Sequence, residues 1–411
     1  MTHFLTLQSV DQILEWIAEF SPLEAEDHAL ESAFGRVLAE SFCAPGNLPG
    51  FSRSTMDGYA VRARDVFGAS EGMPAMLSCV GDCPMGEVPA LTVGPGQTAR
   101  IWTGGMLPEG ADAVVMLEYS RSGGNDQVEL TRPVAPLENV IAEDEDAAKG
   151  ELLLPSGSIL RPQEIGLLAA FGQSRVTVRR KPRVAVISSG DEVVPVTAAP
   201  KPGQVRDINS YTLAALVEAA GGEARALGIA GDSREAVAAM VHEALDWADV
   251  ILVSGGSSAG MRDCTVHAFQ TVAGAEILAH GVAISPGKPL IMARKGQQSL
   301  WGLPGHAASA LVCAEVFIRP LLRRLAGIAR EEAWPKGLKA VLDRPVASAQ
   351  GRRDYIRVRL AASSDGTLIA TPVMGKSGLI TTLVEAEALI VCPEDQEGLT
   401  SGQIVPVYPL L

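Results

Sequence analysis

The chain has 411 residues, 47% of them hydrophobic and 20% charged, and a formal net charge of −14. This length and composition are those of a folded protein of about two to four domains, not of a disordered chain. The acidic balance argues against binding to nucleic acid or to an anionic membrane surface, although it leaves room for a local pocket that takes a small anion.

The sequence also bears on location. No apolar run approaches the roughly 18 residues that a membrane span needs, and the N-terminal segment carries acids but no basic region that would begin a signal peptide. The cysteines are widely spread, and Cys79 and Cys83 have no matching second pair, so we expect reduced thiols rather than a zinc site. We therefore predict a cytoplasmic protein.

Two helices are predicted at the N-terminus. Apolar residues recur at spacings of three and four between Val10 and Phe20, and Ser9 is a suitable cap, so we expect a helix there. A second helix is predicted over residues 23–41, after Pro22.

From about residue 45 the pattern changes to short alternating runs separated by glycine and proline. This pattern predicts an inserted β domain over residues 45–140. The later segment PQEIGLLAAFG predicts a short helix that begins near Pro162 and ends at Gly172. If this helix packs back on the N-terminal part, residues 1–44 and 141–180 form one mixed domain. Alternatively, the N-terminal helix packs on the domain formed by residues 181–330.

Residues 181–330 alternate between strand and helix patterns. This order predicts a three-layer α/β domain, with a mostly parallel sheet covered by helices on both faces. Ligands of such sheets bind at the carboxyl ends of the strands. The informative loops therefore follow four predicted strands, which contain VAVIS, LGIA, VILV and LWGL. Residues 331–411 return to short alternating strands and predict a small C-terminal β domain or barrel.

Acidic side chains occur in three of these loops. Asp191 and Glu192 follow the first strand, Asp232 the second and Asp263 the third. Carboxylates gathered at one edge repel each other, and a divalent cation such as Mg²⁺ that also binds ligand phosphates is the usual resolution. The alternative is that these acids cap helices, and Asp232, just before the helical pattern SREAV, is the clearest candidate for a cap.

Small residues dominate the loop SGGSSAG after the third strand. Glycine and serine there let backbone N–H groups approach a phosphate or a similar oxyanion, although the loop matches neither the P-loop nor the dinucleotide fingerprint. Lys288, in the turn SPGKP, is placed to reach a phosphate as a point charge. The alternative reading of Lys288 is an ordinary solvated lysine.

A combination of motifs resembles one protein family. In order along nearly the whole chain stand MDGYA, TGGMLPEGADAVV, SSGDEVV, VSGGSSAG with its later aspartate, SPGKPL, LPGH and RRDYIRVRL. Together they resemble the molybdopterin molybdenumtransferases, the MoeA and gephyrin E-domain family. The resemblance implies an elongated homodimer of four-part chains. Its α/β domain would be MogA-like, residues 1–44 with 141–180 would be the linker and dimerisation domain, and the C-terminal domain would be small and barrel-like.

The resemblance implies a transferase reaction. Members take adenylylated molybdopterin and molybdate, insert molybdenum with Mg²⁺, and release AMP; molybdopterin adenylyltransferase and recipient molybdoenzymes are candidate partners. By motif, the catalytic candidates are Asp263, Glu192, Asp232, Asp57 and Thr103, the last two facing the site from the partner subunit. Glu192, Asp232 and Asp263 are the metal candidates. The ligand-binding candidates are Ser254, Gly255, Gly256, Ser258, Gly260, Lys288, Pro304, Gly305 and Arg357.

The chain departs from the family pattern at a few positions. Ser257 and Ala259 replace two valines of SGGVSVG, Ser285 replaces the first lysine of KPGKP, and His306 and Ala307 replace the Asn-Pro of PGNPVS. One cation expected near the oxyanion is thus absent, and Arg262 or His306 is a candidate replacement, although a neutral histidine supplies no charge. Two alternatives remain open: a divergent paralogue that carries molybdopterin or finished cofactor, and a scaffold role.

Overall fold

The computed structural model describes residues 7–255, 259–328 and 338–410, with side chains for all of these except 259–262. The chain divides into two compact units. The first contains Met1–Glu40, Ser156–Arg161 and Arg175–Leu411, and the second contains Ser41–Pro155 and Pro162–Ser174. The four-part division predicted from the sequence is finer than this one and stays a prediction.

The first predicted helix is confirmed. Helix α1 (Val10–Ala18) begins after Ser9, whose hydroxyl accepts a hydrogen bond from the backbone N–H of Gln12 at 3.1 Å. Its buried face, with Phe20, packs into the core that also contains Trp301 and Phe317 of the α/β module. The N-terminal helix therefore lies on the α/β module.

The second predicted helix, over residues 23–41, is wrong. The segment forms strand β1 (Ala25–Ala29) and one 3₁₀ turn (Leu30–Ser32). Strand β1 pairs antiparallel with residues Arg175–Arg179, from Ala25 opposite Arg179 to Ala29 opposite Arg175. This pairing with a distant segment outweighs the local helical periodicity, which is only a weak preference.

The second unit is rich in strands, as predicted. Its elements are β2 (Phe42–Cys43), β3 (Arg53–Ser54), β4 (Gly58–Val61), β5 (Ala75–Cys83), β6 (Gln97–Ile101), β7 (Ala113–Met116), β8 (Ser120–Gly124), β9 (Gln127–Leu130), β10 (Val140–Ile141), β11 (Leu152–Leu154) and α2 (Pro162–Ala170). Six of them form a sheet in the order β7-β4-β6-β5-β9-β8, antiparallel except between β5 and β6. Helix α2 begins at Pro162 and ends before Gly172. The sequence predicted a short helix with these bounds.

The α/β module follows. Its elements are β12 (Arg175–Arg179), β13 (Arg183–Ser189), β14 (Val193–Val194), β15 (Val205–Arg206), α3 (Asn209–Ala219), β16 (Glu223–Ala230), α4 (Arg234–Leu245), β17 (Val250–Ser254), α5 (Ala259–Thr271), β18 (Glu276–His280), β19 (Ile284–Ser285), β20 (Ile291–Lys295), β21 (Gln298–Leu303), α6 (Ala307–Cys313) and α7 (Arg319–Leu325). A π-helical segment, Ala314–Ile318, joins α6 to α7. Helix α5 and strand β18 were not predicted.

The central sheet has the order β16-β13-β17-β21-β20-β18. The first four strands are parallel and are the four whose loops were predicted to matter, while β20 and β18 run antiparallel. Alternate residues of β13 enter different cores: Val184 and Val186 on one face, Ala185 and Ile187 on the other. Burial on both faces confirms the mostly parallel, three-layer arrangement.

The C-terminal module is a small closed barrel, as predicted. Its elements are β22 (Lys339–Leu342), β23 (Val346–Ala347), β24 (Arg353–Ala362), β25 (Leu368–Pro372), α8 (Thr381–Val384), β26 (Ala388–Cys392), β27 (Gly398–Leu399) and β28 (Ile404–Pro409). Five strands close in the order β24-β25-β22-β28-β26, because β26 also pairs with β24. Strand β19 of the α/β module pairs with β24, which sets Ser285 opposite Asp354. Within the described part of the chain, no helix is long and apolar enough to span a membrane.

Candidate active site

The ends of the four parallel strands lie side by side. Ser254 at the end of β17 is opposite Ser188 of β13 and Leu303 of β21, and Ser189 is opposite Ala230 of β16. The loops that follow therefore leave the sheet at one edge, as the sequence predicted. Ligands of parallel sheets bind at this edge.

Three acids of the first two loops are close neighbours. The Asp191 carboxylate accepts a hydrogen bond from the backbone N–H of Asp232 at 2.9 Å, so Asp191 holds the second loop in place. Burial raises the pKa of Asp232, and the charges of Asp191 and Glu192 raise it further. The predicted clustering of these carboxylates is thus present, with the repulsion that it implies.

The alternative that Asp232 caps helix α4 is not supported. The N-cap is Ser233, whose hydroxyl accepts from the N–H of Ala236 at 3.1 Å. Asp232 is exposed and lies one residue before the cap. Capping of α4 therefore does not account for Asp232.

Asp263, the fourth acid, lies in helix α5 and is exposed. Burial raises the pKa of the adjacent Cys264 thiol, and the charges of Asp232 and Asp263 act in the same direction. The Cys264 thiol also approaches the Asp232 carbonyl at 3.9 Å. Asp232 and Asp263 thus both lie near this one thiol. Among residues 7–255, 259–328 and 338–410, no three His, Cys, Asp or Glu side chains are arranged to hold a metal by themselves.

Gly255 begins the glycine-rich loop, and its position excludes any side chain. A Cβ there would lie 2.3 Å from both the carbonyl and the hydroxyl oxygen of Ser189, and the backbone has φ +150°. The two loops are therefore in backbone contact, which only glycine permits. Gly256 and Ser258 lie outside the described residues, as does Ser257, while Gly260 is the second residue of helix α5.

A buried polar network beneath these loops was missed by the sequence reasoning. The Asp207 carboxylate accepts from the hydroxyl of Ser188 at 2.8 Å and from the N–H of Ser210 at 3.1 Å. The Asn209 amide donates to the Ser254 hydroxyl at 2.7 Å and to the Gly305 carbonyl at 2.9 Å. The signal available in the sequence was the run RDINS, residues 206–210, at the start of a helix, and it resembles an ordinary helix start.

A cavity of about 520 Å³ collects most of the predicted oxyanion residues. Its lining includes Ser285, Lys288, Pro304, His306 and Arg357, together with Asp354 and the barrel segment that holds Ser377. The size is that of a small-molecule site. These residues come from the β19–β20 turn, the loop after β21 and the barrel, so the cavity lies where the α/β module meets the barrel.

The cavity carries positive charge in an acidic chain. Arg357 is buried, and its guanidinium donates to the Thr382 hydroxyl and, at 2.9 Å, to the Gly375 carbonyl. Burial lowers the pKa of Arg357, yet a guanidinium stays protonated in proteins. Asp354 is already paired with Arg352 at 2.9 Å. No carboxylate of the described residues forms an ion pair with Arg357 or Lys288, so both charges are available to an anion.

Two of the departures from the family pattern, Ser285 and His306, line this cavity. His306 is exposed, and its Nδ1 is 2.9 Å from the Ser377 hydroxyl. The Ser377 carbonyl also accepts from the N–H of Ala308 at 3.0 Å. Ser377 of the C-terminal module is thus bonded to two residues at the start of α6, His306 and Ala308. Ser285 is half-buried. The side chain of Arg262 lies outside the described residues.

In the second unit, Asp57 and Thr103 lie together. Thr103 donates its backbone N–H and its hydroxyl to one carboxylate oxygen of Asp57, each at 2.8 Å. These hydrogen bonds lower the pKa of Asp57, and both side chains are exposed. Next to Asp57, a Cβ at Gly58 would lie 2.0 Å from the Val115 carbonyl oxygen, so only glycine fits there.

The fold and these loops define a class of protein: a MogA-like α/β module with a ligand edge, a β-rich unit and a small terminal barrel. Three family descriptions match in that order: "MoeA N-terminal region (domain I and II)" over residues 8–172, "Probable molybdopterin binding domain" over 185–324 and "MoeA C-terminal region (domain IV)" over 339–410. The match covers most of the chain.

Curated relatives and solved structures agree. A molybdopterin molybdenumtransferase of Bacillus subtilis (strain 168) is 34% identical over 97% of this chain and 93% of its own length. One from Nostoc sp. is 36% identical over 93% and 88%. A crystal structure titled as a molybdopterin biosynthesis MoeA protein from Pyrococcus horikosii superposes with a TM-score of 0.82 at 36% identity, covering 98% of this chain and 99% of that one. The chain belongs to the MoeA family, that of the molybdopterin molybdenumtransferases.

Proposed function

We propose that this protein transfers molybdenum from molybdate to adenylylated molybdopterin, with Mg²⁺-dependent release of AMP, in the cytoplasm. The observation that carries the proposal is the pairing of two features in one module. Carboxylates of two loops, those after β13 and β16, gather at the ligand edge of the sheet. A cavity lined by Lys288 and Arg357, neither of which is in an ion pair among the described residues, borders the loop after β21. A reaction between a pyrophosphate ester and an oxyanion needs both.

The cavity is the proposed molybdate site. Lys288 and the buried Arg357 oppose the net charge of −14 and attract a small oxyanion to this end of the barrel. The planar guanidinium of Arg357 is already oriented by Thr382 and Gly375, so it presents its remaining donors without losing much freedom.

The loops at the sheet edge are the proposed site of the pterin and its pyrophosphate. Ser254 and Gly255 are the proposed contacts because they stand where β17 ends at this edge of the sheet. Glu192, Asp232 and Asp263 are the proposed cation ligands. Glu192 and Asp232 repel each other, and carboxylate oxygens suit Mg²⁺, which usually takes one or two carboxylates and completes its shell with phosphates and water. When bound, Mg²⁺ would neutralise charge that develops on the bridging phosphates. Asp191 keeps the Asp232 loop in place.

A homodimer with a composite site is part of the proposal. Asp57 and Thr103 would face the sheet edge of the partner subunit, where the ionised Asp57 orients water or a ligand hydroxyl. The hydrogen bonds from Thr103 keep the Asp57 carboxylate charged and fixed. Molybdopterin adenylyltransferase, as supplier of substrate, and recipient molybdoenzymes are proposed as transient partners.

The alternative is a divergent paralogue that carries molybdopterin or finished cofactor. The relatives of Bacillus subtilis, Nostoc sp. and Mycobacterium tuberculosis are named molybdopterin molybdenumtransferases and do not favour it. The deciding experiment incubates the purified protein with adenylylated molybdopterin, Mg²⁺ and molybdate and follows AMP. We expect AMP release that requires both ions. Tight pterin binding without AMP release would overturn the transferase proposal in favour of a carrier.

A further inference from the structure

Asn209 lies at the start of helix α3, but its side chain does not cap the helix. It is the first residue of α3, and the residue before it provides no side-chain cap. The two N–H groups of its side-chain amide instead donate to residues at strand ends: one to the hydroxyl of Ser254, the last residue of β17, and one to the carbonyl of Gly305, just after β21. Asparagine is a poor helix former, so its presence calls for such a reason.

The orientation of this amide follows from chemistry. The Gly305 carbonyl only accepts hydrogen bonds, so the nitrogen of Asn209 must face it and the oxygen must face away. That oxygen is buried and, among the described residues, has no hydrogen-bond partner. An unsatisfied buried acceptor is destabilising. Asn209 is therefore not the residue that stability alone would select.

The two loops joined by Asn209 carry the proposed ligand groups. Ser254 and Gly255 belong to the first, the proposed pterin loop after β17. Residues 304–306 belong to the second, which borders the cavity after β21 and is called the oxyanion loop. The Asn209 amide therefore connects the pterin loop to the oxyanion loop. Among the described residues, the backbones of the two loops also meet where the Gly255 N–H donates to the Leu303 carbonyl at 3.3 Å, a long hydrogen bond. The neighbouring Asp207 likewise holds Ser188 at the end of β13.

We infer that Asn209 is a positioning residue that sets the separation of the pterin loop and the oxyanion loop. It acts through Ser254 and Gly305 and contacts neither substrate. The inference rests on the proposed function, because it assigns the two loops to the two reactants. It adds to the site a residue whose role is indicated by its long-range hydrogen bonds to Ser254 and Gly305.

The test uses the full-length protein with Asn209→Asp, which keeps the shape of the side chain but replaces the donor by an acceptor facing Gly305. Thr212→Val is the matched control: the Thr212 hydroxyl donates to the Asn209 carbonyl at 3.2 Å and, within the described part of the chain, to no strand end. Hydrogen–deuterium exchange is followed in peptides covering 250–255 and 303–310, with a barrel peptide over 388–392 as reference. AMP release is measured in parallel.

For Asn209→Asp we expect faster exchange in both loop peptides, unchanged exchange in the barrel peptide and a loss of turnover of about 10- to 100-fold. Thr212→Val should leave all three peptides and the turnover unchanged. If the Asp variant does not fold, Asn209→Ser gives the same readout without a charge. Unchanged exchange in either loop, or faster exchange throughout the protein, would overturn the positioning role. A wild-type protein that releases no AMP would refute the proposed function instead, while the exchange pattern still decides the role of Asn209.

Discussion

Thr103 donates two hydrogen bonds, from its N–H and its hydroxyl, to a single carboxylate oxygen of Asp57, each at 2.8 Å. The two residues are far apart in sequence but are brought together on the surface of the β-rich unit. Donors to a carboxylate favour its charged form, which is why the pKa of Asp57 is lowered. The pair is therefore built to present a fixed negative charge.

Thr103→Val should shift the pH dependence of turnover. The substitution removes the hydroxyl donor and keeps the N–H, so the pKa of Asp57 rises toward its usual range. If turnover needs ionised Asp57, the acidic limb of the pH–rate profile then moves to higher pH. A profile of kcat/KM against pH measures this. Thr103→Ser keeps the hydroxyl and should leave the limb in place; the same shift in both variants would contradict the assignment.

Asp263→Asn should abolish AMP release without unfolding the protein. The side chain is exposed at the ligand edge, so its loss should change the free energy of unfolding by less than about 0.5 kcal/mol, while turnover falls about 100-fold or more. Asp246→Asn changes an exposed acid at the C-terminal end of helix α4, so it is the control and should keep full activity. Unchanged turnover in Asp263→Asn would show that the carboxylate has no part in the reaction.

Asp57→Asn and Asp263→Asn should complement each other if the site is composite. Each variant alone is inactive, because every site of its homodimer lacks one acid. A mixed dimer carries both changes in one site and none in the other, so random mixing by co-refolding should restore about a quarter of wild-type turnover. Sedimentation confirms the dimer. No recovery from a verified mixed dimer would place both acids in the site of one subunit.

Ser285→Lys should improve the use of molybdate. Ser285 lines the cavity with Lys288 and Arg357, so a lysine there adds a third cation to the oxyanion site. A partly exposed charge is worth about 0.5–1 kcal/mol, which corresponds to a KM for molybdate about two- to fivefold lower. Ser285→Met, of similar length without charge, should not lower KM. An unchanged KM in Ser285→Lys would mean that the new amine pairs with Asp354 instead.

Gly255→Ala should destabilise the α/β module by about 3 kcal/mol or more, because a Cβ would lie 2.3 Å from two oxygens of Ser189 in addition to backbone strain. Gly221→Ala is the control: its φ is +86° but nothing lies within 4 Å of the new Cβ. It should lose only the strain, about 1–2 kcal/mol. Urea unfolding measures both. Equal losses would show that the Gly255 loop relaxes away from Ser189.

The arrangement of the ligand edge could be predicted from sequence because it depends on local patterns. Buried parallel strands are read from continuous apolar runs, and the edge to which their loops belong follows from the direction of the chain. The helix predicted over residues 23–41 failed for the converse reason: strand β1 owes its conformation to β12, about 150 residues away, which no local pattern reports.

The site could be predicted only in part. Arg357, Lys288 and Pro304 were placed by family motifs, and the structure brings them into one cavity. Asn209 was missed because its partners, Ser254 and Gly305, are 45 and 96 residues away. The sequence left Asp232 open between a cation ligand and a helix cap, and the hydrogen bond from the Ala236 N–H to the Ser233 hydroxyl places the cap at Ser233 instead.

The central claim is that this chain transfers molybdenum, and a single-turnover experiment tests it most directly. Purified protein is loaded with adenylylated molybdopterin and Mg²⁺, and molybdate is then added. The amount of AMP released is compared with the amount of molybdenum retained on the pterin. The account predicts AMP release that starts only with molybdate and matches the molybdenum retained one for one. Pterin that stays bound and adenylylated after molybdate is added would contradict it.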